Sequence, residues 1–438
     1  MPLLLLPIIY LAFVGLGLPD GLLGAAWPQM HASLQAPLSY QGAVSALIMA
    51  GTIVSSLLTN RLVARFGTGR LTLGSVALTM VALVGFAASP SLPVTCLIAL
   101  PYGLGAGAVD AALNAYVATH YAARHMNWLH MCWGIGAAGG PLALGAIMAA
   151  GHSWRMGYVA IGLVQCALVA VLAAALPLWK QAASARDAAA HDDGTRPDAD
   201  GAPPRAADDH AHPTSRGPAA HPHARGRDSQ AHTRKAVAHS RLIRLPGAPQ
   251  ALGAFLCYCA LESSCGLWAA TFLTGACRLD AATAASLAAL FYGGIAAGRG
   301  VAGLLTRKMT AGGLMRLGIV LIALGLAALA AAAFLPAYAA TLAGSGLLLV
   351  GLGCAPVYPQ MIHLTPVHFG AEHNQSMMGL QMASAYTGSL VVPPLLGIAL
   401  GTGGTALLPA FLCGLLVALA LCLHALDRQR SAQRCGQR

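Results

Sequence analysis

Pro93–Ala118 reads PVTCLIALPYGLGAGAVDAALNAYVA, a run whose only charged side chain is Asp110. At 1.5 Å per residue a helix of this length reaches about 39 Å, more than the ~30 Å hydrocarbon core of a bilayer. A soluble helix of that length would carry a polar face, and this one has none. Similar runs recur outward in both directions. They lie near residues 3–30, 41–60, 71–89, 93–118, 128–150 and 156–179, and again near 249–275, 281–305, 313–334, 337–362, 374–400 and 404–426. Lipid offers no partner for backbone N–H and C=O groups, so each run must close its own hydrogen bonds as a helix. The expected fold class is an all-α membrane protein with twelve transmembrane helices, arranged as two six-helix bundles.

Composition agrees. The chain is 57% hydrophobic and 9% charged, against roughly a quarter charged in soluble domains, too little to cover a water-facing surface. A net charge of +11 on a soluble protein would point to nucleic acid, but here its distribution marks topology and no nucleic acid is expected. Arg61, Arg65 and Arg70 follow the second run, Arg124 the fourth, and Arg307, Lys308 and Arg316 the eighth; Arg155 and Arg278 stand on the other side. Basic residues accumulate in cytoplasmic loops. Both termini and the central segment are therefore expected in the cytoplasm, and the protein in a cell membrane, of the bacterial inner-membrane kind.

The domain plan is 1–179 for the N-terminal half, 180–245 for a linker, 246–426 for the C-terminal half and 427–438 for a basic tail. Residues 180–245 are rich in Ala, Pro, Asp, Arg and His, with too few large apolar residues to offset ordering, and predict disorder. The linker histidines, among them His210, His212, His221 and His223, are irregularly spaced and without cysteine, so no metal site is expected. The cysteines show no CxxC spacing, no glycine cluster follows a strand, and no Walker lysine motif occurs; no cofactor and no ATP-driven pump are expected. The first run, from Leu3, lacks a basic n-region and reads as a retained span.

Of the fourteen acids, ten lie in the linker or cytoplasmic loops and Asp280 in an outer loop, leaving Asp20, Asp110 and Glu262 inside spans. Each costs a few kcal/mol in lipid and is tolerated mainly where it faces a cavity or a partner. The alternative for each is a helix-pairing carboxyl. Asp20 sits in Leu18-Pro19-Asp20-Gly21, a sequence that bends a helix. Asp110 and Asn114, four apart, share a face. Desolvation favours the neutral carboxyl, so such an acid can hold a proton when occluded and release it when wetted. His130 is read equally as a ligand or as a hydrogen-bonded core histidine, and Arg299 as a snorkelling cation near the cytoplasmic end of its helix. His363, His368, Glu372 and His373 read as solvated loop residues.

Two resemblances add to this. Asn60–Arg70 (NRLVARFGTGR), echoed by Gly298–Lys308, resembles the Gly-x-x-x-Asp-Arg-x-Gly-Arg loop signature of the major facilitator superfamily, with Asn60 in place of the first glycine and Ala64 in place of the acid. The segment GAGAVDAALNAYV from Gly105 resembles the fourth-helix motif of the fucose permease branch, as do Asn127–Gly136, Cys257-Tyr258 with Glu262, Gly298-Arg299 and Tyr358-Pro359. The likeness implies proton-coupled sugar symport, with Asp20 and Asp110 as proton-coupling acids. Where that family offers an amide pair in the fifth helix, this chain has His130 and Trp133, and Glu262 replaces an amide, so a solute other than fucose is expected. Candidate solute contacts are Asn114, Asn127, His130, Trp133, Glu262, Trp268, Tyr358, Gln381 and Tyr386, amides and carboxylate to bond and aromatics to stack. Helix packing or an interfacial belt is the alternative for each aromatic.

The expected function is therefore secondary active transport of a small polar solute, a sugar, with protons, by a monomer that is not an enzyme. One alternative is a proton-linked exporter of amphipathic compounds, since Gly136-x-x-x-Gly140-Pro141 partly matches an antiporter signature, with Leu144 and Gly145 where a glycine pair is usual. The other is a nontransporting receptor or a membrane enzyme.

Overall fold

The computed structural model describes residues 4–179, 181, 242–306 and 308–436, without the side chains of Ala123, Asn127, Ala371 and 430–436. Most of the 180–245 segment therefore lies outside the described residues. Among the described residues twelve helices are long and apolar enough to cross a membrane: α1 Leu5–Ser33, α2 Tyr40–Phe66, α3 Thr68–Ala88, α4 Leu92–His120, α5 Arg124–Ala149, α6 Trp154–Ala174, α7 Ala248–Gly275, α8 Ala281–Leu305, α9 Ala311–Phe334, α10 Pro336–Gly370, α11 Glu372–Gly403 and α12 Thr405–Gln429. Every apolar run of the sequence has its helix.

Helix ends differ from the sequence reading at two places, for one reason. The basic segment after the second run is helical on both sides of a single residue, Gly67, whose φ of +78° turns the chain without a loop. Gly370, at φ +77°, does the same between α10 and α11, so His363, His368, Glu372 and His373 stand on helices. One ion pair there joins His373 Nδ1 to Glu372 Oε1 at 3.3 Å.

Helix α1 breaks where its sequence bends it. Leu5–Gly17 and Leu22–Ser33 are regular, and between them Asp20 N–H bonds the Gly17 carbonyl at 3.0 Å and Leu22 N–H the Pro19 carbonyl at 3.1 Å. Pro19 has no N–H to continue the ladder, and the tightened turn leaves the Asp20 side chain free to project inward.

Each half has its own packed interior, with Ile9, Phe13, Leu113, Val117 and Phe86 in the first and Phe255, Phe272, Leu326 and Val350 in the second. Helix pairs α1–α7, α2–α11 and α5–α8 join the halves. They close at the end where α1 finishes and α2 begins: Gln41 donates to the Leu267 carbonyl at 2.6 Å and accepts from Thr271 at 3.0 Å, while Gly42 lies against the Pro394 backbone. Leu242, within the end of the 180–245 segment, is buried with Phe369, Met377 and Leu426.

At the same end Arg155 Nη1 donates to the carbonyls of Ala87 and Ser89, each at 2.7 Å, with its guanidinium over Trp154. These are the orphan carbonyls at the end of α3, where a cation also meets the negative end of the helix dipole. Arg155→Ala is expected to cost on the order of 2 kcal/mol, read as a lower melting temperature in detergent; an unchanged melt would show that water replaces the cap at no cost. On the next loop Asp280 caps α8, accepting from Thr283 N–H at 2.9 Å. Hydrogen bonds from Thr283 hold its carboxyl below the usual range. A lowered folded-state pKa contributes stability that is present above roughly pH 4 and is lost as pH falls through the folded value.

Candidate functional site

The broken turn of α1 opens on a cavity of about 400 Å³ between the halves, lined from both by Asp20, Tyr102, Asp110, His130 and Trp133 on one side and Glu262, Ser263, Tyr292 and Arg299 on the other. All three span acids reach it. Asp20 lies deep in the bundle yet is exposed to this space, so it is neither lipid-facing nor locked in a dry pair. Its Oδ2 accepts the Trp133 indole N–H at 2.6 Å and its Oδ1 the Tyr102 hydroxyl at 3.4 Å. Two donors aimed at one carboxylate are what an ionised acid needs away from bulk water.

Asp110 accepts from Asn114 Nδ2 at 2.9 Å, the i, i+4 contact read from the sequence, and Asn114 Oδ1 is buried with no partner. Glu262 lines the same space and faces the charge of Arg299, while the Tyr258 hydroxyl one turn away donates to the Cys354 carbonyl at 2.9 Å. Arg299 does not snorkel. Its guanidinium lies 5.2 Å over the Trp133 ring and donates to the His130 carbonyl at 3.3 Å, because α8 packs on α5 and that surface is polar at this height.

The candidate solute contacts divide. His130, Trp133 and Glu262 line the cavity, His130 with its ring edge-on to Phe13. One Trp133 face carries Arg299 and its ring meets Tyr292 edge-on, so it is not a bare plate for a sugar ring. Trp268 is fully buried and bonds the Pro393 carbonyl at 3.1 Å, a packing position against Gly397. Gln381 is buried against Thr365, bonded at 2.9 Å, away from the cavity. Tyr358 packs on Phe255 and Tyr258, its hydroxyl 3.0 Å from Met382 Sδ. Tyr386 is half-buried on α11 and is not among the residues that line the cavity. The side chain of Asn127 lies outside the described residues.

The sequence reading missed Tyr102 and Tyr292. Each carried a spacing signal: Tyr102 stands two turns before Asp110 on one face of α4, and Tyr292 two turns before Arg299 on one face of α8. Among the described residues no group of three metal-ligating side chains occurs.

Residues 9–393 match the Major Facilitator Superfamily. The chain belongs to that superfamily. This facilitator also superposes on a crystal structure of a mutant of the nucleoside transporter NupG, with a TM-score of 0.69 and 13% sequence identity over 96% of this chain and 98% of that one. At such identity the likeness is one of fold. No curated protein matches the sequence. The facilitator is thus a multi-pass membrane transporter for a small-molecule solute, and a two-bundle architecture with a mid-span cavity is what alternating access by rocking halves requires.

Proposed function

We propose that this facilitator is a proton-coupled symporter of a small polar solute built on a ring, a sugar or a sugar-bearing nucleoside, close in kind to the fucose permease branch. The observation that carries the proposal is Asp20: an acid at mid-span, open to a cavity shared by both halves, with two donors to steady its ionised form. Asp110 is the second proton site. Its partner amide supports this, because Asn114 presents a donor to the carboxylate and keeps an unpartnered oxygen, so that one rotation of the amide offers an acceptor to the protonated acid. His130, Glu262 and the free donors of Arg299 contact the solute. The named substrate of the nucleoside transporter widens the solute class from hexoses to nucleosides. The closed end faces outward, both termini lie in the cytoplasm, and the monomer is the working unit.

The test is transport into proteoliposomes with an inward proton gradient, across hexoses, deoxyhexoses and nucleosides. At least one should accumulate and should leak back when a protonophore is added. Asp110→Asn should abolish accumulation while solute exchange persists. Accumulation by Asp110→Asn at the wild-type level would remove that residue from coupling, and accumulation unaffected by the protonophore would overturn proton symport altogether.

A further inference from the structure

Trp133 stands where the halves meet. Its N–H donates to Asp20 at 2.6 Å, Arg299 lies 5.2 Å over its ring, and Tyr292 meets it edge-on with centroids 6.3 Å apart. Asp20 and Trp133 belong to α1 and α5 of the first half, whereas Tyr292 and Arg299 both belong to α8 of the second. Arg299 also bonds the carbonyl of His130, one turn before Trp133 on α5. The indole therefore touches the acid with its edge and the cation with its face.

We infer that Trp133 and Arg299 are positioning residues that transmit the charge state of Asp20 from the first half to the second; the inference rests on the proton-coupled reading above. An ionised Asp20 accepts the indole N–H and polarises the ring, and a more electron-rich face attracts the guanidinium more strongly. A protonated Asp20 is the weaker acceptor, so both contacts slacken together. The proton adds to a carboxylate oxygen and no other bond forms or breaks.

Arg299 has a second place to go. Glu262, in its own half, faces it across the same cavity. As the hold of Trp133 weakens, the cation shifts from a contact between halves to one within a half. That is a two-position element whose balance the proton sets, and its effect is to loosen α5 from α8 at mid-span. The remaining titratable groups facing Asp20 and Arg299 include Tyr102 and Asp110 on α4, His130 on α5, Tyr292 on α8, Tyr258 behind Glu262 on α7, and Cys354 on α10. Asp110 adds a like charge near Asp20, and Glu262 is the group that competes for the guanidinium.

The experiment is backbone hydrogen exchange of the full chain in nanodiscs at one fixed pH, which needs neither solute nor gradient. Asp20→Asn, a neutral isostere, should raise exchange around Arg299 in α8 and Trp133 in α5 by roughly fivefold. Trp133→Phe, which keeps a ring but no N–H, should match it, and the double variant should add nothing beyond either single change. Glu262→Gln, lacking the competitor, should blunt the effect of Asp20→Asn. Wild-type exchange in Asp20→Asn, or effects of Asp20→Asn and Trp133→Phe that multiply in the double variant, would overturn the inference. Should Trp133→Phe not fold, Arg299→Gln takes its place in the same cycle. Absent proton-driven accumulation in the wild type would defeat the symport proposal alone, since the exchange cycle still decides whether the two halves sense Asp20.

Discussion

Replacing Asp20 with asparagine is expected to leave a folded carrier that exchanges solute and no longer concentrates it. Each pH unit of gradient stores about 1.4 kcal/mol per coupled proton, so two units can drive roughly hundredfold accumulation at one proton per solute. Asparagine removes the titration and keeps the shape. Its carbonyl oxygen can take the Trp133 N–H, and its amide can donate to the Tyr102 hydroxyl, which turns to accept. No buried donor is orphaned, which distinguishes this change from Asp20→Ala, where the Trp133 N–H loses its acceptor at about 1–3 kcal/mol. Asp20→Asn should therefore equilibrate labelled solute across vesicles under a gradient that drives wild-type uptake, with exchange within a few-fold of normal. Full accumulation by Asp20→Asn would place proton coupling on Asp110 alone.

Much of this was legible in the residues, and the parts that were not share a physical cause. Span number and order follow from apolar length, a property of composition that tertiary contacts do not alter. The three span acids could be found by elimination because lipid tolerates a carboxyl only with a cavity or partner, and all three line one space. Side-chain direction is another matter. Trp268 and Trp133 are both tryptophans in apolar helices, yet one fits against Gly397 in the second half's core and the other faces the cavity. The difference lies in which neighbouring helix is present at that height, which one helix's periodicity cannot report. Arg299 illustrates the same limit. Snorkelling is the general behaviour of a cation near a helix end, and only the α5 carbonyl and the Trp133 face make an inward position the better one. The short turns at Gly67 and Gly370 needed only one residue of positive φ each, so basic or histidine-bearing segments that look like loops are helix ends instead.

Gly136→Leu is expected to abolish the folded protein, and the reason lies in a segment whose antiporter-like sequence invites a functional reading. Gly136 and Gly140 face α1 rather than the cavity. A Cβ on Gly136 would fall on the Val14 carbonyl oxygen and 2.9 Å from the Leu18 nitrogen, and one on Gly140 would meet the Leu18 carbonyl. The contact is reciprocal, since a Cβ on Gly17 would come within 2.8 Å of the Ala137 nitrogen. Main chain meets main chain here, so no rotamer change can make room. The helices would have to separate, at a cost above the ~1–3 kcal/mol of an overpacked core, and dispersion between closely approached backbones is a principal force holding helices together in lipid. Because the break at Pro19-Asp20 immediately follows this contact, separation would also carry Asp20 away from Trp133. Gly136→Leu should give little monodisperse protein on size exclusion, and Gly136→Ala an intermediate loss. Gly74→Leu, on α3 with nothing within 4 Å of its added Cβ, should behave as wild type. A monodisperse Gly136→Leu at wild-type yield would show that α1 and α5 do not meet at this distance, and with that the bond from Trp133 to Asp20 would lose its support.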